Sequence, residues 1–398
     1  MSLGLYVSIP FCPSKCSYCN FASNVFSRTL FQDYVERVAS GIENAGETAK
    51  RMGGLFERSV NSIYLGGGTP TILDTTQLKH LFVTISQNFD VETDAEITVE
   101  CAPGTLTSAM LGLFQHCGVN RVSLGVQSYV DAEAASVGRL HKRATVLNDI
   151  TRVRAIGIEN INIDLIAGLP HQTASSWQFS LAEVIASRAP HVSVYMLEID
   201  NDSRLGRELM ADGTRYHAHF VPNDELTAEL YETACERLDA AGVRQYEISN
   251  FARPGYESRH NRKYWTRQPY LGFGVDAHSM LSCLGEEYEA VRFSWPDSLE
   301  VYLAGTAPQK SPISYNAALE EAFFVGLRLT EGVDLERLAA NFGEAKVNAF
   351  SDAIAECVES GLLQREGNVI RLTGCGRLLS NEVFERFILT DRLDSLPA

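Results

Sequence analysis

No apolar run in the sequence approaches ~18 uninterrupted residues, so nothing in it reads as a membrane-spanning helix. Basic tracts are missing too. Lys and Arg number 34 against 50 Asp and Glu, giving a formal net charge of −16, whereas a nucleic-acid partner would want a basic stripe. The first residues lack a charged segment followed by an apolar stretch, which leaves out a secretory signal. The first chemical motif begins too early for a transit peptide, and the expected location is cytoplasmic. The cysteine count, nine, is odd and the chain is 398 residues long, so a disulfide framework is not expected.

What the chain does have is apolar content of 45%, enough for a large core, and a length that suits two domains. Short apolar runs at Leu5–Ile9, Ser62–Leu65, Glu96–Val99, Arg121–Val126, Asn160–Ile166 and His191–Leu197 read as strands. Amphipathic stretches separate them at Leu30–Ile42, Thr76–Phe89, Leu106–Cys117, Val146–Ile156 and Ser176–Ile185, and another follows at Leu226–Ala241. This alternation predicts an α/β fold, a partial (β/α)6-type barrel with its site at the C-terminal ends of the strands. Gln245–Ser249 reads as one more short strand, and Asn250–Gly274 as a segment rich in Arg, Tyr, Asn and Gly. A linker is predicted at Ala304–Ser314, separating a core over 1–304 from a C-terminal module over 315–390. Helices at Glu320–Leu329, Asp334–Phe342 and Ala345–Ser360, then a hairpin around Gly367-Asn368, make that module helical and winged-helix-like.

The unusual residues fall at the predicted strand ends. Pro10-Phe11-Cys12 follows the first strand, Gly66-Gly67-Gly68-Thr69-Pro70 the second and Glu100-Cys101-Ala102-Pro103 the third. Gln127-Ser128 ends the fourth, and the fifth carries Asp164 before Gly168-Leu169-Pro170. Three of the nine cysteines crowd into Cys12-x-x-x-Cys16-x-x-Cys19, while six are scattered and read as small core residues. Grouped thiolates favour an iron–sulfur cluster or zinc. Three ligands with no fourth in the loop leave a coordination position open, where metals do chemistry. Zinc, or chance crowding, is the alternative.

This spacing, with Tyr18 before the third cysteine, resembles the signature of the radical S-adenosylmethionine superfamily. Tyr6, Gly66-Gly67-Gly68-Thr69-Pro70, Glu100, Gln127, Arg139 and Asp164 lie where the oxygen-independent coproporphyrinogen III oxidase family has them. The resemblance implies a 4Fe–4S cluster on Cys12, Cys16 and Cys19 with S-adenosylmethionine on its open iron. Gly66, Gly67, Gly68 and Thr69 would admit the methionine end, Tyr18 would pack near the adenine, and Tyr6, Glu100, Gln127, Arg139 and Asp164 would hold polar groups. It also implies a low-potential electron donor such as flavodoxin or ferredoxin.

Two features set the chain apart from the oxidases. Phe21 stands where they carry a further cysteine, and their long N-terminal extension does not precede Cys12. His260-Asn261-Arg262-Lys263-Tyr264-Trp265 is similar to a motif of the haem chaperone branch, as is Gly272-Phe273-Gly274-Val275-Asp276-Ala277-His278-Ser279. That likeness implies haem as a ligand, His260 as its iron ligand with His278 second, and a haem-acceptor protein, a respiratory haem protein being one candidate. His217 and His219 read as a solvated polar stretch. Two readings stand: a haem chaperone that keeps a radical S-adenosylmethionine core, and a radical enzyme acting on a tetrapyrrole.

Overall fold

The computed structural model describes residues 1–201, 203–283 and 287–388. Six parallel strands make the core: β1 (Leu3–Ile9), β2 (Ser59–Gly67), β3 (Asp90–Cys101), β4 (Arg121–Gln127), β5 (Asn160–Ala167) and β6 (His191–Met196). They pair in chain order, with helices at Phe31–Glu43, Thr75–Asn88, Ser108–His116, Arg143–Ala155 and Ala174–Ser187 on the crossovers and Asp224–Ala240 after β6. Local chemistry sets several helix starts. Asp74 caps Thr75–Asn88 in a capping box with Gln77, and Thr173 caps Ala174–Ser187.

The strands alternate strictly, unlike the unbroken apolar runs usual in parallel sheets. Leu3, Leu5, Val7 and Ile9 share one face of β1 and are all 0% exposed within the main apolar cluster. Ile63, Val99, Val122, Ile161 and Val192 repeat this on β2 to β6. Positions one residue away are polar, and register brings them together in rows. Glu100 lies opposite Ser123, Ser123 opposite Asn162, and Asn162 opposite His191. The convex face therefore packs on helices and the concave face is a polar interior.

The barrel is open. β6 pairs not with β1 but with β8 (Asn250–Ala252), which runs antiparallel and is joined by β7 (Arg244–Gln245). The expected single strand over Gln245–Ser249 is thus mostly the turn of a small hairpin. On the other side β1 pairs in parallel with β9 (Tyr270–Phe273), followed by antiparallel β10 (His278–Ser282), β11 (Ala290–Ser294) and β12 (Gln309–Ile313). The segment expected to be a linker therefore carries the edge strand of a 12-stranded sheet. Pro312 is tolerated there because an edge strand can spare a backbone donor.

The C-terminal module has its own apolar cluster. Phe323, from the helix Tyr315–Gly326, stacks on Phe350 and Phe387 with ring centroids 4.4 and 4.9 Å away. Helices Leu335–Phe342, Glu344–Asn348 and Ser351–Glu359 surround it. β13 (Val333–Asp334), β14 (Leu363–Glu366) and β15 (Val369–Leu372) form a three-stranded sheet in the order β13-β15-β14, with the hairpin turning at Gly367, whose φ is 61°. Residues 389 and 390, the last two assigned to the expected C-terminal module, lie outside the described residues. The module packs on the core through Arg267 and Arg292, which both meet Glu321, and through Arg328, which lies 4.3 Å over the Trp265 ring. Among the described residues no helix is long and apolar enough to cross a membrane.

Phe323 is 0% exposed and sits between two other rings. Phe323→Ala is expected to destabilise the module by about 3–5 kcal/mol. Urea unfolding followed by circular dichroism should show the C-terminal transition moving to lower denaturant while the core transition stays put.

Candidate functional site

The cysteine loop leaves the C-terminal end of β1 and is pinned at its neck. Asn24 N–H donates to Pro10 O at 2.8 Å and Cys12 N–H donates to Asn24 O at 3.0 Å. Inside the loop Lys15 Nζ donates to Phe21 O at 2.8 Å and Ser23 O at 2.7 Å, and lies 3.5 Å from Cys19 Sγ. Neighbouring segments clamp it from outside: Ser17 N–H donates to Val137 O at 3.2 Å, and Leu205 N–H donates to Ser17 O at 2.8 Å. Cys16 is buried, Cys12 and Cys19 are half-buried, and all three thiols are free. Burial, then the neighbouring Cys19 and Cys16, push the Cys12 thiol up, against hydrogen bonds from Ser23 and Thr69. Positive charge from a metal would be needed to hold it as a thiolate. Among the described residues the three do not close round a single ion. A four-iron cluster takes each thiolate on a different iron.

Beside the cysteines the glycine run forms a cradle. A Cβ on Gly68 would stand 2.6 Å from Ile9 O, 2.8 Å from Phe11 O and 3.1 Å from Cys12 Sγ, so only glycine fits. Gly67 has φ of 91°, and a Cβ on Gly66 would meet Glu100 and Tyr64 at 2.8 Å. Thr69 N–H donates to Phe11 O at 2.8 Å, tying the run back to the cysteine loop.

Charged groups line the same end of the barrel. Tyr64 Oη donates to Glu100 Oε1 at 2.7 Å. Asp164 accepts from Asn162 Nδ2 at 2.7 Å and from Ser123 Oγ at 3.3 Å. Arg139 Nη2 donates to Tyr18 Oη at 3.1 Å, while Arg139 Nε is buried without a partner. Gln127 is buried with φ of 68°, left-handed for a residue with a side chain, where the β4–β5 register slips. Burial raises the Glu100 carboxyl to about 7, with Asp164 adding to the rise and the Tyr64 hydrogen bond opposing it. Burial also raises Asp164. Below this ring lies a polar cleft of about 40 Å³ lined by Glu100, Asp164, Arg121, Ser123, Asn162 and His191 among others. The donor set suits an amino-acid end bound beside a thiolate-held cluster: carboxylates for an ammonium, an unpartnered guanidinium nitrogen for a carboxylate, and a cradle that a Cβ would fill.

The structure therefore gathers Cys12, Cys16, Cys19, Tyr18, Gly66, Gly67, Gly68, Thr69, Glu100, Gln127, Arg139 and Asp164 at one end of the barrel. Tyr6 is rooted one layer lower, its ring 6.2 Å from Tyr64, and its hydroxyl reaches the cradle, 3.0 Å from where a Cβ on Gly67 would stand. His260 lies lower still, at the foot. It is 1% exposed, on the helix Arg259–Trp265. Its Nδ1 is 3.0 Å from Ser62 Oγ and its Nε2 is 2.8 Å from Tyr264 Oη. Burial pushes its imidazole down to about 3. In this structure both ring nitrogens of His260, the expected haem ligand, are therefore engaged by protein hydroxyls. His278 is exposed and 3.7 Å from Asp276. His217, expected to be merely solvated, has its Nδ1 3.0 Å from His171 Nε2. Sequence reasoning passed over Lys15, Tyr64, Ser123 and Asn162. The last three share the inward parity of Glu100 and Asp164, which was their signal.

Glu100 offers a test. Its folded pKa is raised, so it favours folding below its unfolded value near ~4.3, and this contribution is lost as pH rises through about 7. Glu100→Gln should leave the thermal midpoint of the cofactor-free protein nearly unchanged at pH 4.5 and raise it above wild type at pH 8. Equal midpoints at pH 8 would contradict the burial cost.

The Radical SAM superfamily pattern matches residues 6–183, and the HemN C-terminal domain matches residues 313–379. The heme chaperone HemW of Bacillus subtilis (strain 168) is 34% identical over 390 residues, 96% of this chain and 98% of its own. Radical S-adenosyl methionine domain-containing protein 1, mitochondrial, of Bos taurus is 33% identical over 336 residues, 83% of this chain and 74% of its own. In three dimensions the chain matches coproporphyrinogen III oxidase (HemN) from Escherichia coli with a TM-score of 0.80 at 24% identity, covering 97% of this chain and 90% of the other, a likeness of fold. The open six-stranded barrel, the cysteine loop at its mouth and the full-length likeness agree: the chain belongs to the radical SAM superfamily and, within it, to the HemW family.

Proposed function

We propose that this chain is a haem chaperone that carries a 4Fe–4S cluster on Cys12, Cys16 and Cys19, binds S-adenosylmethionine beside it, and passes haem to an acceptor protein. One observation carries the reading. Three thiols and a ring made by Glu100, Asp164 and the unpartnered Arg139 Nε open at the same end of a barrel whose chain is similar, over 96% of its length, to a protein named heme chaperone HemW. Phe21, 67% exposed on the cysteine loop, replaces the further cysteine expected of an oxidase.

In this reading Gly66, Gly67 and Gly68 admit the methionine end, with Thr69 holding the run in place. Arg139 takes the carboxylate, and Glu100 and Asp164 receive the ammonium and hydroxyl donors. Gln127 and Tyr6 complete the polar wall, and Tyr18, held by Arg139, gives a flat surface for the adenine. When bound, the cluster supplies one-electron reduction of the sulfonium. A low-potential donor such as flavodoxin or ferredoxin would feed it. Residues 1–304 would hold the cofactors and the C-terminal module would cover substrate or acceptor.

Anaerobic reconstitution should load about four irons per chain, and alanine at Cys12, Cys16 or Cys19 should abolish the broad charge-transfer absorbance. A triple variant that still binds four irons would refute the ligand set. Glu100→Ala and Asp164→Ala should keep the iron and lose S-adenosylmethionine affinity several-fold, since each lost hydrogen bond is worth about 0.5–1.5 kcal/mol. Cluster-loaded protein should bind haem and should not convert coproporphyrinogen III. Turnover of that substrate would favour the enzyme reading instead.

A further inference from the structure

A haem chaperone needs a surface that meets the porphyrin, and the described histidines differ sharply in what they can offer. His191 spends both nitrogens, on Asn162 and Tyr246, and His260 spends both, on Ser62 and Tyr264. His141 is buried with Nε2 on Val126 O. His80 faces Glu36 and His278 faces Asp276. His116 lines an apolar pocket with Phe82 and Cys117. That leaves one group, His171, His217 and His219, gathered round Phe220 on the outer surface beside the barrel mouth.

The group is built by two segments. His171 follows Gly168-Leu169-Pro170 at the end of β5, the strand that carries Asp164. Its N–H donates to Phe220 O at 3.0 Å, which clips the β5 end to the segment holding His217 and His219. The Phe220 ring lies 4.1 Å from His171 and 4.0 Å from His219, centroid to centroid. His171, Tyr216 and His217 all have left-handed backbones, with φ of 68°, 54° and 59°. Residues with side chains seldom adopt that conformation, and three together mark a held arrangement. The same segment is anchored upstream to the cysteine loop by the Leu205–Ser17 hydrogen bond.

The His171–His217 contact has a chemical consequence. A neutral imidazole has one N–H and one bare nitrogen. Nε2 of one ring and Nδ1 of the other are 3.0 Å apart, so one ring donates to the other. Whichever ring donates, its second nitrogen is left as a bare lone pair, on a residue that is exposed. This is the arrangement of metal-binding histidines, whose other ring N–H is held by a partner. Desolvation, then the neighbouring His217 and His219, lower the His171 imidazole and keep it neutral. Apolar surface for a macrocycle lies in the same segment: Met210 is 68% exposed, Phe220 48% and Tyr216 40%.

We propose that haem docks on the His171–His217–His219–Phe220 cluster, its iron ligated by the ring of the His171–His217 pair that donates the shared hydrogen. The proposal rests on the haem-binding reading and places the iron ligand on the outer surface, away from the buried His260. The test is haem titration of cluster-loaded, full-length protein by visible absorption and electron paramagnetic resonance. Wild type, His171→Ala/His217→Ala, the milder His217→Gln, His219→Ala, His278→Ala and the remote His80→Ala are compared, with circular dichroism and iron content as checks on folding. The double variant should lose more than the about 10–100-fold that loss of an outer-shell partner alone costs, with a shifted Soret band that added imidazole restores. His217→Gln should lose less, and His80→Ala should match wild type. Wild-type protein that takes up no haem would remove the haem reading and this site with it. Haem binding in wild type that survives in the double variant, or is lost in His278→Ala instead, would overturn the site alone.

Discussion

Everything in this molecule depends on the strict two-residue alternation of β1 to β6. Strands buried on both faces usually satisfy themselves with apolar side chains throughout. Here one face supplies Leu5, Val7, Ile63, Val99, Val122 and Ile163 to the helices, and the other supplies Tyr64, Glu100, Ser123, Asn162, Asp164 and His191 to the interior. The polar face must then satisfy itself. Ser123, Asn162 and Asp164 bond to one another, and His191 completes the row through Asn162. Such a network is costly when half made and specifying when complete. Arg139 Nε is left open at the mouth, next to the cysteines, while Thr98 Oγ1 and Arg121 Nε are left open deeper in the interior.

Much of this was legible in the sequence because period and spacing are local. The core strands and their helices fall within about three residues of their expected spans, since each combines an apolar run with a turn signal; β3 alone starts six residues early, at Asp90. The cysteine spacing and the glycine run announce themselves without any fold. What failed was non-local. The pairing of β9 to β12 with β1 depends on neighbours far away in the chain, and Pro312 in the expected linker disguised an edge strand. Burial is non-local as well. An H-N-R-K-Y-W string cannot say whether its imidazole faces solvent or, as here, Ser62 and Tyr264 inside the barrel foot. By the same limit, two histidines 46 positions apart could not be paired before the β5 end and the Phe220 segment were seen together.

The helix Arg259–Trp265 joins the parts. His260 and Lys263 enter the foot of the barrel, where a Cβ on Gly4 would stand 2.8 Å from Lys263 Cδ. Arg262 reaches out to Glu331, and Trp265 lies under Arg328, both in the C-terminal part of the chain. One short helix thus closes the core and receives the module, which ties the shape of the polar interior to the seating of the C-terminal unit.

The parallel pairing of β1 with β9 has a consequence for biosynthesis. β1 leaves the ribosome well before β9, which lies far along the chain at Tyr270–Phe273. At about 5–20 residues per second, the nascent chain carries β1 with one bare edge for on the order of tens of seconds. Throughout that interval the foot also lacks His260 and Lys263, so the polar interior stays wet and the cysteine loop hangs from an unfinished wall. Iron delivery to such a chain would meet thiols that are exposed and oxidisable. If the proposed cluster is loaded on Cys12, Cys16 and Cys19, its loading would then be a step for the completed polypeptide rather than for the growing one.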